Sequence, residues 1–146
     1  MLQVALVYPQ IPPNTGNIAR TCAATKTRLH LVEPLGFEIS DRALKRAGLD
    51  YWQYTDLQIH ANLESLAAVA GRWVCFSARG KHDFRKFEFT EQDILLFGSE
   101  TSGLPPEVLA QNLTVAIPMD HPKVRSLNLS VSVAIALFEA RRQLNL

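Results

Sequence analysis

The segment Ile117–Leu144, IPMDHPKVRSLNLSVSVAIALFEARRQL, constrains the fold of this chain more than any other. From Leu129 to Phe138 it is apolar on nearly every side for about two helical turns, so it must be buried all round, in a core or against another subunit. Ser126, Asn128 and Ser130 stand at its entrance. One such side chain is enough to cap a helix N-terminus. The others are then free for a ligand where buried backbone meets a cleft.

What precedes this segment alternates strand and helix. Gln3–Tyr8 reads as a first strand rather than a signal peptide and is closed by Pro9, Pro12 and Pro13. A helix follows from Asn14, its N-cap, to Thr25, with Ile18, Cys22 and Ala23 inward. Leu29–Glu33 is a second strand, and Ser40 caps a helix through Ala47. Leu57–His60 is a short strand before a helix from Asn62 to Ala70. Trp73–Ser77 and Ile94–Phe97 are continuous apolar runs, as strands buried on both faces require. Pro105 opens another helix and Val115–Ile117 is the last strand. This pattern predicts one α/β domain spanning residues 1–146, with a mainly parallel sheet and flanking helices. At 47% hydrophobic residues the chain can fill such a core.

Several function classes drop out early. No apolar run is long enough to span a membrane. Cys22 and Cys75 lack a paired spacing and read as buried free thiols of a reducing, cytoplasmic compartment. The four histidines have no ligand spacing, so no metal is expected. A dinucleotide-binding or class I methyltransferase turn would be glycine-rich after the first strand, and the sequence there is YPQIPPNTG.

Ligands of parallel sheets bind beyond the carboxyl ends of the strands, where three loops stand out. Asn14–Arg20 (NTGNIAR) joins a helix start to a guanidinium, an arrangement suited to an anion. Gly98–Gly103 (GSETSG) offers two glycines through which backbone can approach a flat heterocycle. The third is Ile117–Ser130. Taken singly, each has a plain structural explanation.

Together, PQIPPNTGNIAR (Pro9–Arg20), RLHLVEPLGF (Arg28–Phe37), AGLDY (Ala47–Tyr51), LFGSETSGLP (Leu96–Pro105), IPM (Ile117–Met119) and SLNLSVSVA (Ser126–Ala134) resemble the SPOUT superfamily of RNA methyltransferases over nearly the whole chain. The likeness is closest to the small, single-domain tRNA 2′-O-methyltransferases of the TrmL (YibK) type. It implies a fold whose C-terminal helix passes through a preceding loop to form a trefoil knot. It implies S-adenosylmethionine as methyl donor, held by Phe76, Gly98, Glu100, Ile117, Ser126 and Leu127, without a metal. It further implies a cytoplasmic homodimer in which Arg20 reaches the site across the interface. The substrate implied is the wobble ribose, on cytidine or a modified uridine, of leucine-type tRNAs.

Methyl transfer to a ribose needs in-line positioning, loss of the 2′-OH proton and a held phosphate. Arg20 is assigned to clamping phosphate and ribose. A guanidinium keeps its proton and makes a poor base unless its pKa is unusually depressed; a phosphate oxygen or water is the alternative acceptor. Asn14, Ser126 and Asn128 are hydrogen-bonding candidates beside it. Net charge is only +1, so RNA contact rests on local clusters: Arg42, Lys45 and Arg46 on one helical face, Arg79, Lys81, Arg85 and Lys86 after Trp73–Ser77, and Lys123 and Arg125 beside the last motif. Tyr51 and Trp52 are candidates for stacking on bases or for core packing. Two stretches depart from the family pattern. Lys26 and Thr27 stand at a helix end where glycine and an aromatic are common, and Leu127 and Val131 replace Met and Asn. An inert SPOUT-fold RNA-binding protein, or methylation of another RNA site, are the competing functions. Retention of Arg20, Ser126 and Asn128 weighs against the inert protein.

Overall fold

The computed structural model describes residues 1–40, 42 and 51–146. The strands are β1 (Gln3–Val7), β2 (Arg28–Val32), β3 (Leu57–His60), β4 (Arg72–Phe76), β5 (His82–Asp83), β6 (Asp93–Phe97) and β7 (Leu113–Ala116). The helices are α1 (Pro12–Ala24), α2 (Leu63–Ala67), α3 (Pro106–Gln111) and α4 (Leu129–Gln143), with a 3₁₀ turn at Trp52–Tyr54. The helix expected from Ser40 to Ala47 lies outside the described residues for almost all of its length.

All seven strands join one sheet in the order β3-β2-β1-β6-β4-β7-β5, and every pairing is parallel. Alternation along β1 explains the layers. Val4 and Leu6 join the core with Ile18, Ala19 and Cys22 of α1 and Val133 and Leu137 of α4. Ala5 and Val7 join the opposite core with Leu66 of α2 and Val108 of α3. Helices therefore cover both faces, as continuous apolar strands demand. β5 was not foreseen: two polar residues within a charged loop carry no strand periodicity, and only pairing with β7 defines it.

The order has a functional consequence. β1 and β6 are neighbours, yet β1 leads to α1 on one face while β6 leads to α3 on the other. Where neighbouring parallel strands send their connections to opposite faces, a crevice opens at their carboxyl ends.

One expectation about the helices changes. α1 begins at Pro12, not Asn14: Pro12 and Pro13 occupy the first turn, where a missing N–H costs nothing, and Ile11 is the cap residue. The chain's own core covers only part of α4, which the sequence expects to be buried there or against another subunit. Val133, Ala136, Leu137 and Ala140 are inside, but Val131 (46%), Ile135 (37%) and Phe138 (53%) are exposed and form a stripe at spacings of four and three. The end of α1 agrees with the sequence. Lys26 has φ of 52°, Lys26 N–H donates to Ala23 O and Thr27 N–H to Cys22 O, a Schellman ending made without the usual glycine.

Deep polar groups are paired across elements. Asp93, fully buried, takes Arg72 Nε at 2.7 Å and Nη2 at 2.9 Å, plus the Thr90 N–H and hydroxyl. Burial pushes both cysteine thiols up to about 12, leaving them inert at neutral pH. A chain of four side chains crosses β1, β2, β3 and α2. His30 Nε2 meets Gln3 Oε1 at 2.7 Å, His30 Nδ1 meets His60 Nε2 at 2.9 Å, and His60 Nδ1 meets Ser65 Oγ at 2.8 Å. With neutral rings every contact has one donor: His30 donates to Gln3, His60 to His30 and Ser65 to His60.

Burial, then the neighbouring His60 and Arg28, lower the His30 pKa to about 4, and burial lowers that of His60. Above pH ~6.5 neither folded nor unfolded chain protonates His30. Below it the unfolded chain binds a proton the folded chain refuses, so stability is lost as pH falls from ~6.5 towards 4. Urea denaturation is expected to give ~2 kcal/mol less stability at pH 5 than at pH 7. A His30→Gln, His60→Gln double variant should lose most of that difference.

Candidate active site

At the β1/β6 crevice lies an open cleft of about 650 Å³. Its apolar lining includes Phe76 and Phe97, whose rings stack at 4.7 Å, together with Ile117 and Leu127. Phe76 ends β4 and Phe97 ends β6, so the sheet itself delivers both rings to the crevice. The rim is polar: Ser77, Asn14, Ser126, Asn128 and Ser132, with Arg79 and Arg125.

One chain of hydrogen bonds holds the walls together. Glu100, from the loop after β6, accepts Gln10 N–H at 2.9 Å and Ile11 N–H at 2.8 Å, both from the loop after β1. It also accepts Asn14 Nδ2 at 3.2 Å. Asn14 Oδ1 accepts Asn128 Nδ2 at 3.1 Å. Asn128 Oδ1 then caps α4 by accepting Ser130 N–H at 2.9 Å and Ser130 Oγ–H at 2.6 Å, with a longer contact from Val131 N–H. Asn128 is therefore the capping residue of the three at that helix entrance. Ser126, exposed on the cleft rim, has its hydroxyl available for a ligand.

The glycine loop works differently from the sequence expectation. A Cβ on Gly98 would collide with the Gly103 and Leu104 backbone, so its smallness lets the loop close on itself, not only on a ligand. Gly103, at φ +68°, makes that return. A Ser99–Gly103 bridge and the Ser102 N–H to Ser99 Oγ bond complete it.

The expected donor-site residues Phe76, Gly98, Glu100, Ile117, Ser126 and Leu127 all line the cleft, as do Asn14, Asn128, Arg79 and Arg125. Arg20, Arg42 and Lys81 do not. Arg20 projects from the exposed side of α1 with its guanidinium 4.7 Å from the centre of the Tyr51 ring. Trp52 packs against the core. Lys45 and Arg46 lie outside the described residues. Arg85 is paired with Asp83 through Nη2 at 2.7 Å, and this guanidinium lowers the Asp83 carboxyl to about 2, so its charge is already answered. Val131 sits on the exposed face of α4, so the loss of Asn there alters that surface and not the cleft. The Glu100 bridge to the β1 loop could not be read from the sequence, because it joins positions 90 and 89 residues apart.

A parallel sheet with a cleft at its switch point, built by these three loops, defines a class of protein, and comparison with known proteins agrees. Residues 1–138 match the SpoU rRNA Methylase family, and the chain belongs to it. A tRNA (cytidine(34)-2′-O)-methyltransferase from Methylovorus glucosotrophus is 50% identical over 98% of this chain and 96% of its own. A solved structure from work on the 2-OH methylation of C/U34 on tRNA superimposes with a TM-score of 0.93 at 50% identity, covering 99% of this chain and 97% of that one. An AdoMet-bound rRNA methyltransferase from Sinorhizobium meliloti has a TM-score of 0.80 at 28% identity, covering 98% of this chain and 56% of its own.

Glu100→Gln tests the bridge. The carboxamide keeps one acceptor oxygen and turns an NH₂ towards N–H donors, so at least one donor loses its charged partner. Urea denaturation should show a loss of ~1–3 kcal/mol, and S-adenosylmethionine affinity measured by calorimetry should fall with it.

Proposed function

We propose that this chain transfers a methyl group from S-adenosylmethionine to the 2′-oxygen of nucleotide 34, a cytidine or modified uridine, in tRNA of the leucine type. The observation that carries this reading is the cleft. All six residues expected to hold the donor converge on it, in a chain similar over its whole length to relatives bearing that activity.

The cleft suits the donor on its own terms. About 650 Å³ is room for a molecule of that size. The stacked Phe76 and Phe97 rings give an apolar wall for a flat heterocycle, and Arg79 and Arg125 offer charge to a carboxylate. When bound, S-adenosylmethionine supplies an electrophilic methyl on a sulfonium. The chain's own task is then positioning. Asn14 and Asn128 fix the rim, Ser126 contributes a hydroxyl, and Arg20 holds the phosphate and ribose. Glu100 is the only carboxylate lining the cleft among the described residues, and its oxygens already accept three N–H bonds. It is therefore not the base. A phosphate oxygen or water takes the proton.

The same reading makes the whole chain one methyltransferase domain working as a homodimer in the cytoplasm. Arg20 is absent from its own cleft, and Val131, Ile135 and Phe138 leave an apolar stripe on α4 that a second copy would cover. No helix among the described residues is long and apolar enough to cross a membrane. A knot belongs to this reading as well. It is supported by a last strand beyond β4 and a final helix that returns to pack on α1. Phosphates of the tRNA would meet Arg79 and Arg125 at the cleft and Arg42 and Lys81 outside its lining, with Lys45 and Arg46, outside the described residues, proposed for the same contact.

Mass spectrometry of nucleosides from tRNA incubated with enzyme and donor should reveal 2′-O-methylation at position 34. Arg20→Ala should lower the rate at least ~100-fold with donor binding nearly unchanged. Ser126→Trp, which fills the cleft, should also be inactive. A tandem-purified dimer of one chain of each kind has one site with both lesions and one with none, so about half of wild-type activity should return. If Arg20 serves its own subunit, the mixed dimer is inactive. Tritium incorporation into tRNA decides between them.

A further inference from the structure

Four residues of the loop after β6, Ser99, Ser102, Gly103 and Leu104, line the donor cleft and also a second cleft of about 360 Å³. Its other walls include Tyr8, Pro34, Leu35 and Pro105, with Gln10 also lining it. The described residues lining it include no charged side chain, so it is unsuited to a phosphate or a metal ion. Apolar, flat-sided walls with a few neutral polar groups suit a planar heterocycle. Gln10 Oε1 already accepts the Thr101 hydroxyl at 3.0 Å, which leaves the carboxamide NH₂ for an acceptor on a ligand.

Tyr8 adds an independent observation. Its φ is +59°, left-handed backbone that a bulky residue adopts only under constraint. Its N–H donates to Val32 O at 3.0 Å, which fixes the backbone just past the end of β1. Regular strand geometry is broken at the residue that supplies an aromatic face to this cleft. Such outliers gather at ligand clamps.

We propose that this second cleft receives an unpaired nucleobase of the RNA substrate, stacked on Tyr8. The inference rests on the tRNA-methylating function above. An unpaired base offers a π-face and polar edges, and aromatic stacking is how proteins hold such bases. The shared residues couple the two clefts, so a base seated in the second would steady a wall of the donor site.

Two measurements test it. tRNA transcripts carrying 4-thiouridine at single anticodon-loop positions are irradiated with wild-type enzyme, and the adducts are mapped by peptide mass spectrometry. One position should give an adduct on Tyr8 or on the peptide containing Pro34 and Leu35. Adducts confined to other peptides would overturn the proposal. In steady-state assays, Tyr8→Asn tolerates left-handed backbone but removes the ring. It should raise KM for tRNA about 10-fold or more, with kcat and S-adenosylmethionine affinity unchanged, while Tyr8→Phe behaves as wild type. An unchanged KM in the Asn variant, or a Phe variant equally impaired, would rule out stacking. Wild-type enzyme that fails to methylate tRNA at all would instead sink the parent reading, so the two failures are told apart.

Discussion

The Glu100 carboxylate, set between the loops that leave β1 and β6, is the contact on which the site depends. Those strands are neighbours whose connections part to opposite faces, so beyond the Leu6–Phe97 pair the sheet's ladder does not tie the loops that follow. Glu100 does so by accepting the Gln10 and Ile11 N–H groups. These are donors at the start of α1, where helix geometry supplies no acceptor. A carboxylate there satisfies free donors, lies at the favourable end of the helix dipole and anchors the glycine loop in one arrangement. Asn14 and Asn128 then extend the tie to the start of α4. Loops separated by most of the chain become one rim.

That construction explains what the sequence made legible. The strands were readable because continuous apolar runs between turn residues have few alternatives, and the glycine and serine loops had to follow them. The residues converging on the cleft were legible from their resemblance to SPOUT enzymes. What stayed hidden depends on contacts between distant positions. Asn14 looked like a cap because Asn favours that place, yet Pro12 starts the helix earlier and leaves Asn14 to bridge Glu100 and Asn128. Gly98 looked like a surface for a ligand, but its lack of a side chain lets Gly103 and Leu104 pass close by. β5 exists through its pairing with β7 and has no local signal.

The last helix divides its apolar residues between two uses. Val133, Ala136, Leu137 and Ala140 complete the core beneath α1, while Val131, Ile135 and Phe138 face outward. Composition alone gives both sets the same weight, which is why the sequence reading buried them together. On the proposed reading, a second copy of the chain would account for both the exposed stripe and the placement of Arg20 on Tyr51, away from its own cleft. An apolar face would then be covered and a cation delivered by the same association. The fold would hold the donor in one chain and the phosphate clamp in the other.

The central claim is that Asn14 and Asn128 act on the donor cleft as one connected unit. A double-mutant cycle on S-adenosylmethionine affinity, using Asn14→Ala, Asn128→Ala and the pair, tests it directly by calorimetry. If the chain is one unit, each single change weakens binding by about tenfold and the double change is little worse than either. The coupling is then ~1 kcal/mol or more. If the two losses add to within ~0.3 kcal/mol, the residues act separately and the account of a single hydrogen-bonded rim is wrong.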